Sequence, residues 1–260
     1  MDHFTIGLIA AMPEDVRPLL KRVGTYRKEK VGPFRLYRFT ITGGEACLVE
    51  SGMGATKGAA AARALIDAAR PSVMLNFGFA GAVTAGPSVG DLMVANRLFL
   101  HRHRSFSELY NLDQDLAESM EMALAKGCWG KPFQVYRGAF ITAGEIVAKG
   151  ALAGILPQGV ANPMLEMETA AIAQVAAAAK IPFIAVRAIS DAADEELGFS
   201  LDELTDSELN VRIGRVLWTV ARKPWIVPQL VRLARNSRLA GENLADGIGV
   251  VLRAIAELKS

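Results

Sequence analysis

The sequence predicts an α/β protein with a large central core, and three observations carry that prediction. Short apolar runs rich in β-formers alternate with Ala-rich segments of helical spacing. Gly and Pro stand where those segments end, as at Gly127 and Pro182. The length of 260 residues suits one α/β domain.

The runs FTIGLIAAM (4–12), RLYRFTI (35–41), ACLVESG (46–52), SVMLNFGFA (72–80) and DLMVANRLFL (91–100) read as strands, followed later by YRGAFITA and PFIAVRAIS. Between them ATKGAAAARALIDAAR (55–70), QDLAESMEMALAKG (114–127) and EMETAAIAQVAAAAK (166–180) read as helices. Strand–helix alternation favours a mostly parallel, helix-covered sheet, which the small alanine faces let the helices approach closely. From about 207 to 258 the pattern changes to two or three amphipathic helices without strands, broken at Lys223-Pro224 and near Asn236-Ser237. The expected division is a catalytic domain over 1–206 and a helical extension over 207–260, packed on or flanking it. Around Trp225 that extension alternates Ile226, Leu230 and Leu233 with Arg232, Arg235 and Arg238. Such a pattern belongs either to a core-packed helix with a basic solvent face or to one that rests on a membrane or partner.

Composition narrows the function classes. Apolar residues make up 51% and charged residues 22%, the profile of a compact enzyme rather than a disordered chain. A formal charge of +2, from 29 bases and 27 acids spread along the chain, gives no field for nucleic acid. The first twelve residues lack the basic leader of a signal peptide, and no run approaches the roughly eighteen apolar residues of a membrane span. Cys47 and Cys128 have no CxxC spacing, and His3, His101 and His103 form no ligand set. The expectation is a cytoplasmic protein in a reducing compartment, with neither metal nor cofactor. The run HRHR at 101–104 reads as a solvated loop or strand end.

In an open α/β sheet, ligands collect at the carboxyl ends of strands. Four polar segments stand there: Pro13-Glu14-Asp15, Ser51-Gly52-Met53-Gly54, Gly78-Phe79-Ala80-Gly81 and Ser190-Asp191. Glycines let backbone amides approach a ligand or simply make tight turns, and the spacing is not a dinucleotide fingerprint. Asp191 leaves an apolar strand, so it is either a partly desolvated general acid or a helix cap. Glu166 and Glu168, at the start of an Ala-rich helix, serve its dipole or a ligand.

The ordered blocks IGLIAAMPEDV, VESGMG, NFGFAGAV, GDLMVA and LEMETAAIAQVAAAAKIPFIAVRAISDAAD resemble the nucleoside phosphorylase and nucleosidase superfamily over roughly residues 5–196, and within it the methylthioadenosine/S-adenosylhomocysteine nucleosidases. The resemblance implies a three-layer α/β/α fold with a central mixed β-sheet, assembled as a homo-oligomer, that cleaves a purine nucleoside. It implies that Asp191 protonates N7 of the leaving base, Glu168 binds the ribose hydroxyls, Met167 packs beneath the sugar, and Ile146 with Val147 lines the base. Glu166 is supportive at most, while Gly78, Phe79 and Gly52 border the ribose and the nucleophile. Hydrolytic release of adenine from a 5′-substituted adenosine is the leading expectation.

Two departures qualify that likeness. The residue aligned with the family's water-activating glutamate is Asp15, one methylene shorter, with Glu14 beside it and Pro13 fixing the loop, so either carboxylate is a candidate activator. Phe79 stands where the family usually has a small residue. The helical C-terminus resembles relatives attached to hopanoid lipid synthesis, which gives the segment around Trp225 a reason to touch a membrane. Phosphorolysis, with Arg97, Arg187 and Lys57 as candidate phosphate ligands, and non-catalytic nucleoside binding are the alternatives.

Overall fold

The structure, a computed structural model, describes residues 4–144, 147–195, 219 and 222–259. Ile146 and most of the segment between the last strand and Arg222 lie outside the described residues. Ten strands alternate with six helices among the described residues. In chain order they are β1 (Phe4–Ala10), α1 (Pro13–Val23), β2 (Arg27–Val31), β3 (Phe34–Ile41), β4 (Gly44–Glu50), α2 (Ala55–Ala69) and β5 (Val73–Ala82). There follow β6 (Leu92–Arg102), β7 (Ser105–Leu109), α3 (Gln114–Gly127), β8 (Val135–Ala143), α4 (Lys149–Ala153), β9 (Met164–Glu166), α5 (Thr169–Ala178), β10 (Phe183–Asp191) and α6 (Val227–Lys259).

All strands belong to one sheet whose pairings run β10-β6-β8-β9-β5-β1-β4-β3-β2, with β7 on β6. Because β10 also pairs with β5, the strands β5, β10, β6, β8 and β9 close on themselves, and β1 to β4 fan out from β5. The sheet is mixed rather than mostly parallel. Parallel pairs β1/β4, β1/β5, β5/β10, β6/β8 and β8/β9 are matched by antiparallel contacts such as β3/β4, β6/β10 and β5/β9. Three of the antiparallel contacts are hairpins, β2/β3, β3/β4 and β6/β7, which need no helical crossover. The turn of the second hairpin is His103-Arg104, both at positive φ, so the HRHR run is a strand end and a tight turn.

Helices cover both faces. On one face α1, α3 and α6 bury Val16, Leu19, Met120, Leu124, Leu244 and Ile248 against Ile6, Leu8, Leu75 and Val186. On the other, α2 and α5 bury Ala61, Leu65, Ile172 and Ala176 against Ile9, Val49, Met74 and Phe183. This is the three-layer α/β/α arrangement.

The C-terminal helix is one unbroken element from Val227 to Lys259, passing through Asn236-Ser237 without a break. A 3-10 turn at Pro224–Ile226 precedes it, as the Lys223-Pro224 signal predicts. Asn236 does not interrupt the helix because its amide finds a partner outside it, the Glu195 carboxylate at 3.1 Å. Leu244, Ile248, Val251 and Ile255, at helical spacing, are at most 1% exposed. Each contributes on the order of 1.5–3 kcal/mol by leaving water, so the second half of α6 is core. The first half and the turn before it differ: Trp225 in the turn is 66% exposed, and Val231 and Leu239 on the helix are also open.

The segment 166–180 also departs from expectation. Its helix begins only at Thr169, since Met164–Glu166 pairs as β9 between β5 and β8. Glu166 is therefore not in the first helical turn. It caps α5 from the strand end, its Oε2 accepting the amide hydrogens of Glu168 and Thr169 at 2.9 and 2.8 Å.

Candidate active site

The carboxyl ends of β1, β4, β5, β9 and β10 converge, and the four polar segments singled out from the sequence meet there. At the floor lies a buried network. Arg187, 2% exposed on β10, donates from Nη2 to Glu166 Oε2 at 2.9 Å, Asn76 Oδ1 at 2.7 Å and Thr169 Oγ1 at 2.9 Å. Glu166 also accepts from the hydroxyls of Thr169, at 2.7 Å, and Thr142. Asn76 in turn donates to Ile9 O at 3.0 Å, which ties the network to β1. Burial pushes the Glu166 carboxyl up, but the Arg187 guanidinium and the hydroxyl and amide donors outweigh it and hold the group below the ordinary glutamate range.

Glu168, two residues on, has the opposite balance. It is buried, with Gly54 N–H donating to its Oε1 at 2.7 Å and Arg187 3.9 Å from its Oε2. Burial and the negative charge of Glu166 push its carboxyl above the usual range despite the Arg187 guanidinium and the Gly54 amide. Gly54 reaches it because φ is 101°, and Gly52 in the same loop has φ 80°, conformations that a side chain would strain. Met167 lies half-buried between the two glutamates.

Above this floor stands Asp15. Although α1 carries two adjacent carboxylates, Glu14 is exposed while Asp15 is buried, 3% accessible. Asp15 Oδ2 accepts the Met12 amide hydrogen at 2.8 Å, closing the N-terminal turn that Pro13 begins. Its Oδ1 has no partner, nor do Arg187 Nε and Nη1. Asp15 and Arg187 come together beside Gly78: a Cβ added there would stand 3.4 Å from Arg187 Nη1 and 3.4 Å from Asp15 Cγ and Oδ2, the oxygen that accepts from Met12. Burial pushes the Asp15 carboxyl up to about 7, against the pull of the Met12 amide and the Arg187 charge. Buried polar atoms left without protein partners are uncommon, and here they fall on a carboxyl and a guanidinium that are close to one another.

At the other end is Asp191, the last residue of β10. The β5/β10 register slips between Ile189 and Asp191, so Asp191 stands opposite Gly81. A Cβ on Gly81 would come 2.5 Å from Asp191 Oδ2, so a side chain there would push the carboxylate out of this position. Ser190 Oγ donates to Asp191 Oδ1 at 2.7 Å, and the ammonium of Lys149, the first residue of α4, donates to Oδ2 at 2.6 Å.

The remaining expected residues fall as follows. Val147 is partly buried against the small cluster of Phe99, Ile141 and Leu152. Phe79 packs its ring into the core on the α6 side, its tip 3.5 Å from where a Gly241 Cβ would be. Of the candidate phosphate ligands, Arg97 is elsewhere, paired with Glu108 at 2.6 Å and lying over Phe99. Lys57 runs beside Gly52, and Arg187 is at the site. Sequence reasoning passed over Lys149, Asn76, Thr142 and Thr169. A lysine among small and apolar residues in TAGEIVAKG was the available signal. Cys47 and Cys128 are both free and buried, and burial pushes the Cys47 thiol up to about 12. Among the described residues no group of three or more His, Cys, Asp or Glu side chains could hold a metal ion. Nor is any helix there long and apolar enough to cross a membrane.

A family model of the phosphorylase superfamily matches residues 5–222, most of the chain. The chain belongs to the phosphorylase superfamily. Among solved structures, the superfamily member is similar to the methylthioadenosine/S-adenosylhomocysteine nucleosidase of Neisseria meningitidis in complex with methylthio-immucillin-A. That match has 20% identity and a TM-score of 0.72, covering 96% of this chain and 98% of that one. The corresponding nucleosidase of S. pneumoniae gives 23% identity over 97% and 100% of the chains, with a TM-score of 0.70. The futalosine hydrolase of Helicobacter pylori gives 17% identity over 96% and 97%, with a TM-score of 0.71. These likenesses extend the common fold through the C-terminal helix. Membership makes the chain an enzyme of the nucleosidase and nucleoside phosphorylase class.

Proposed function

We propose that this enzyme hydrolyses the N-glycosidic bond of a 5′-substituted purine nucleoside, releasing adenine from a compound such as methylthioadenosine or S-adenosylhomocysteine. The observation that carries the hydrolytic reading is Asp15: a buried carboxyl whose Oδ1 has no partner among the described residues, with the Arg187 guanidinium close by at Gly78. A water held there donates one hydrogen to Asp15 and accepts from Arg187. Glu14, exposed on the outer side of α1, has no such position. A carboxyl pushed up to about 7 is matched to taking a proton near neutral pH.

In this mechanism Glu168 accepts hydrogen bonds from the ribose hydroxyls and its negative charge stabilises the sugar as the glycosidic bond breaks. Asp191 delivers a proton to N7, so that the purine leaves neutral. Met167, between the two glutamates, offers an apolar surface under the sugar. Asp15 takes the proton of the water that adds to C1′. Glu166 does not meet substrate; it fixes Arg187 and the start of α5.

Phosphorolysis is the second reading, favoured by the same unpartnered Arg187 hydrogens, which suit an anion. The buried Asp15 carboxyl beside them opposes a phosphate whenever it is ionised. A lipid-like 5′-substituent is a variant of either reading. The exposed Trp225, Val231 and Leu239 near Arg232, Arg235 and Arg238 support contact with an anionic membrane. Sedimentation with anionic against neutral vesicles tests that contact. The substrate reading is tested by incubating the protein with methylthioadenosine, S-adenosylhomocysteine and inosine in phosphate-free buffer and resolving the free bases by chromatography. Adenine from the first two supports the assignment. Hypoxanthine alone, or no base from any of them, refutes it.

A further inference from the structure

The ammonium of Lys149 is 8% exposed and touches two acceptors, Asp191 Oδ2 at 2.6 Å and the carbonyl of Ala192. A lysine is seldom buried unless paired, and a buried ion pair is weak evidence for stability because desolvation opposes the attraction. Its local helix gives it no reason to be there. Lys149 is the first residue of α4, a helical end where a cation meets the positive pole of the peptide dipoles. The lysine is thus directed at the carboxylate from a helix end that does not favour a cation, across 42 residues of sequence. Asp191 Oδ1 is taken by the Ser190 hydroxyl and Oδ2 by Lys149, so both oxygens of the assigned acid are occupied by donors.

We propose that Lys149 is a positioning residue that supplies Asp191 with the proton it passes to the leaving base. This rests on the reading of Asp191 as the proton donor. In the empty site the pair holds its one transferable proton on nitrogen, as ammonium and carboxylate. When a purine nucleoside binds with N7 at Asp191, an Nζ–H bond breaks and an Oδ2–H bond forms. The Oδ2–H bond then breaks as N7–H forms, and the electron pair of the C1′–N9 bond departs with the purine, which leaves neutral. Lys149 is left as a neutral amine and, once the base has gone, is reprotonated through solvent as Asp15 gives up the proton it took from the attacking water. Lysine differs from arginine in having a neutral amine form that can exist in a protein, whereas a guanidinium stays charged.

That difference supplies the test. Steady-state cleavage of methylthioadenosine is measured for the wild type, Lys149→Met, Lys149→Arg and Asp191→Asn. The four are also compared on 4-nitrophenyl β-D-riboside, whose phenolate leaves without needing a proton. Far-ultraviolet circular dichroism and thermal melting verify folding of each variant. The proposal expects Lys149→Met and Lys149→Arg to lose on the order of 10²-fold in kcat on the nucleoside, with KM changed by less than about threefold, and to lose far less on the nitrophenyl riboside. A lysine that only braces the loop is replaced adequately by arginine. Wild-type kcat in Lys149→Arg, or equal losses on both substrates, overturns the proposal while leaving Asp191 in place. Full activity of Asp191→Asn on methylthioadenosine overturns the underlying assignment instead.

Discussion

The floor and the mouth of the cleft use the same kinds of side chain on opposite terms. At the floor, Glu166 has its carboxylate occupied by two hydroxyls, two backbone amides and a guanidinium, and is held below its ordinary range. At the mouth, Glu168 has one amide donor, Asp15 has one amide donor and an unpartnered oxygen, and both are pushed upward by burial. A fully buried carboxylate saturated by five protein donors, as Glu166 is, is structural. One that is buried with lone pairs to spare is kept that way at a cost in stability, and substrate or water supplies the missing partners.

The largest expected effect that separates the two regions is on catalysis. Asp191→Asn should lower kcat for base release by on the order of 10²–10⁴-fold in protein that is still folded, although unpairing Lys149 lowers its melting point, measured by steady-state kinetics beside a melting curve. A loss confined to KM would move Asp191 from proton transfer to binding. Next comes a stability contrast in urea unfolding. Glu166→Gln should cost about 3–5 kcal/mol, since it leaves the buried Arg187 guanidinium without its charged partner. Glu168→Gln should change stability by less than about 1 kcal/mol yet impair nucleoside cleavage, since among the described residues its hydrogen-bond donor is the Gly54 amide and Arg187 lies farther off at 3.9 Å. Equal stability losses at the two glutamates would erase the distinction between floor and mouth.

A smaller, pH-dependent effect sharpens it. The Asp15 carboxyl titrates at about 7 when folded and near the ordinary aspartate value of roughly 3.9 when unfolded, so between those values the folded state binds more protons. Its contribution is therefore stabilising at acid pH and is lost as pH rises through about 7. Asp15→Asn should melt higher than the wild type at pH 8 by a few degrees and gain much less at pH 5, as followed by calorimetry at the two pH values. The smallest effect lies away from the cleft. Gly247 on α6 faces the Leu92 side chain too closely for a Cβ, so Gly247→Ala should cost about 1–3 kcal/mol in urea without altering kcat.

Much of this arrangement was legible in the sequence because it is local. The strand runs 35–41, 72–80 and 91–100 and the helices at 55–70 and 114–127 fall within a few residues of β3, β5, β6, α2 and α3, each carrying its own period and its own stop signal. Asp15, Glu168 and Asp191 follow or flank apolar strands, where an α/β sheet gathers ligands. What was not legible depends on pairing across the sheet. The strand β9 is three residues long and exists because it fits between β5 and β8, so Glu166 read as the start of a helix. The choice between Glu14 and Asp15 turns on which way α1 faces, and the Lys149 contact on how α4 meets the end of β10. The continuity of α6 through Asn236 likewise rests on Glu195, a distant partner.

The account stands most directly on base release from methylthioadenosine by wild type and Asp15→Asn, each with and without added phosphate. It predicts wild-type turnover that is independent of phosphate and a loss on the order of 10²-fold or more in Asp15→Asn under both conditions. Turnover that requires phosphate, with Asp15→Asn as active as the wild type, would contradict it.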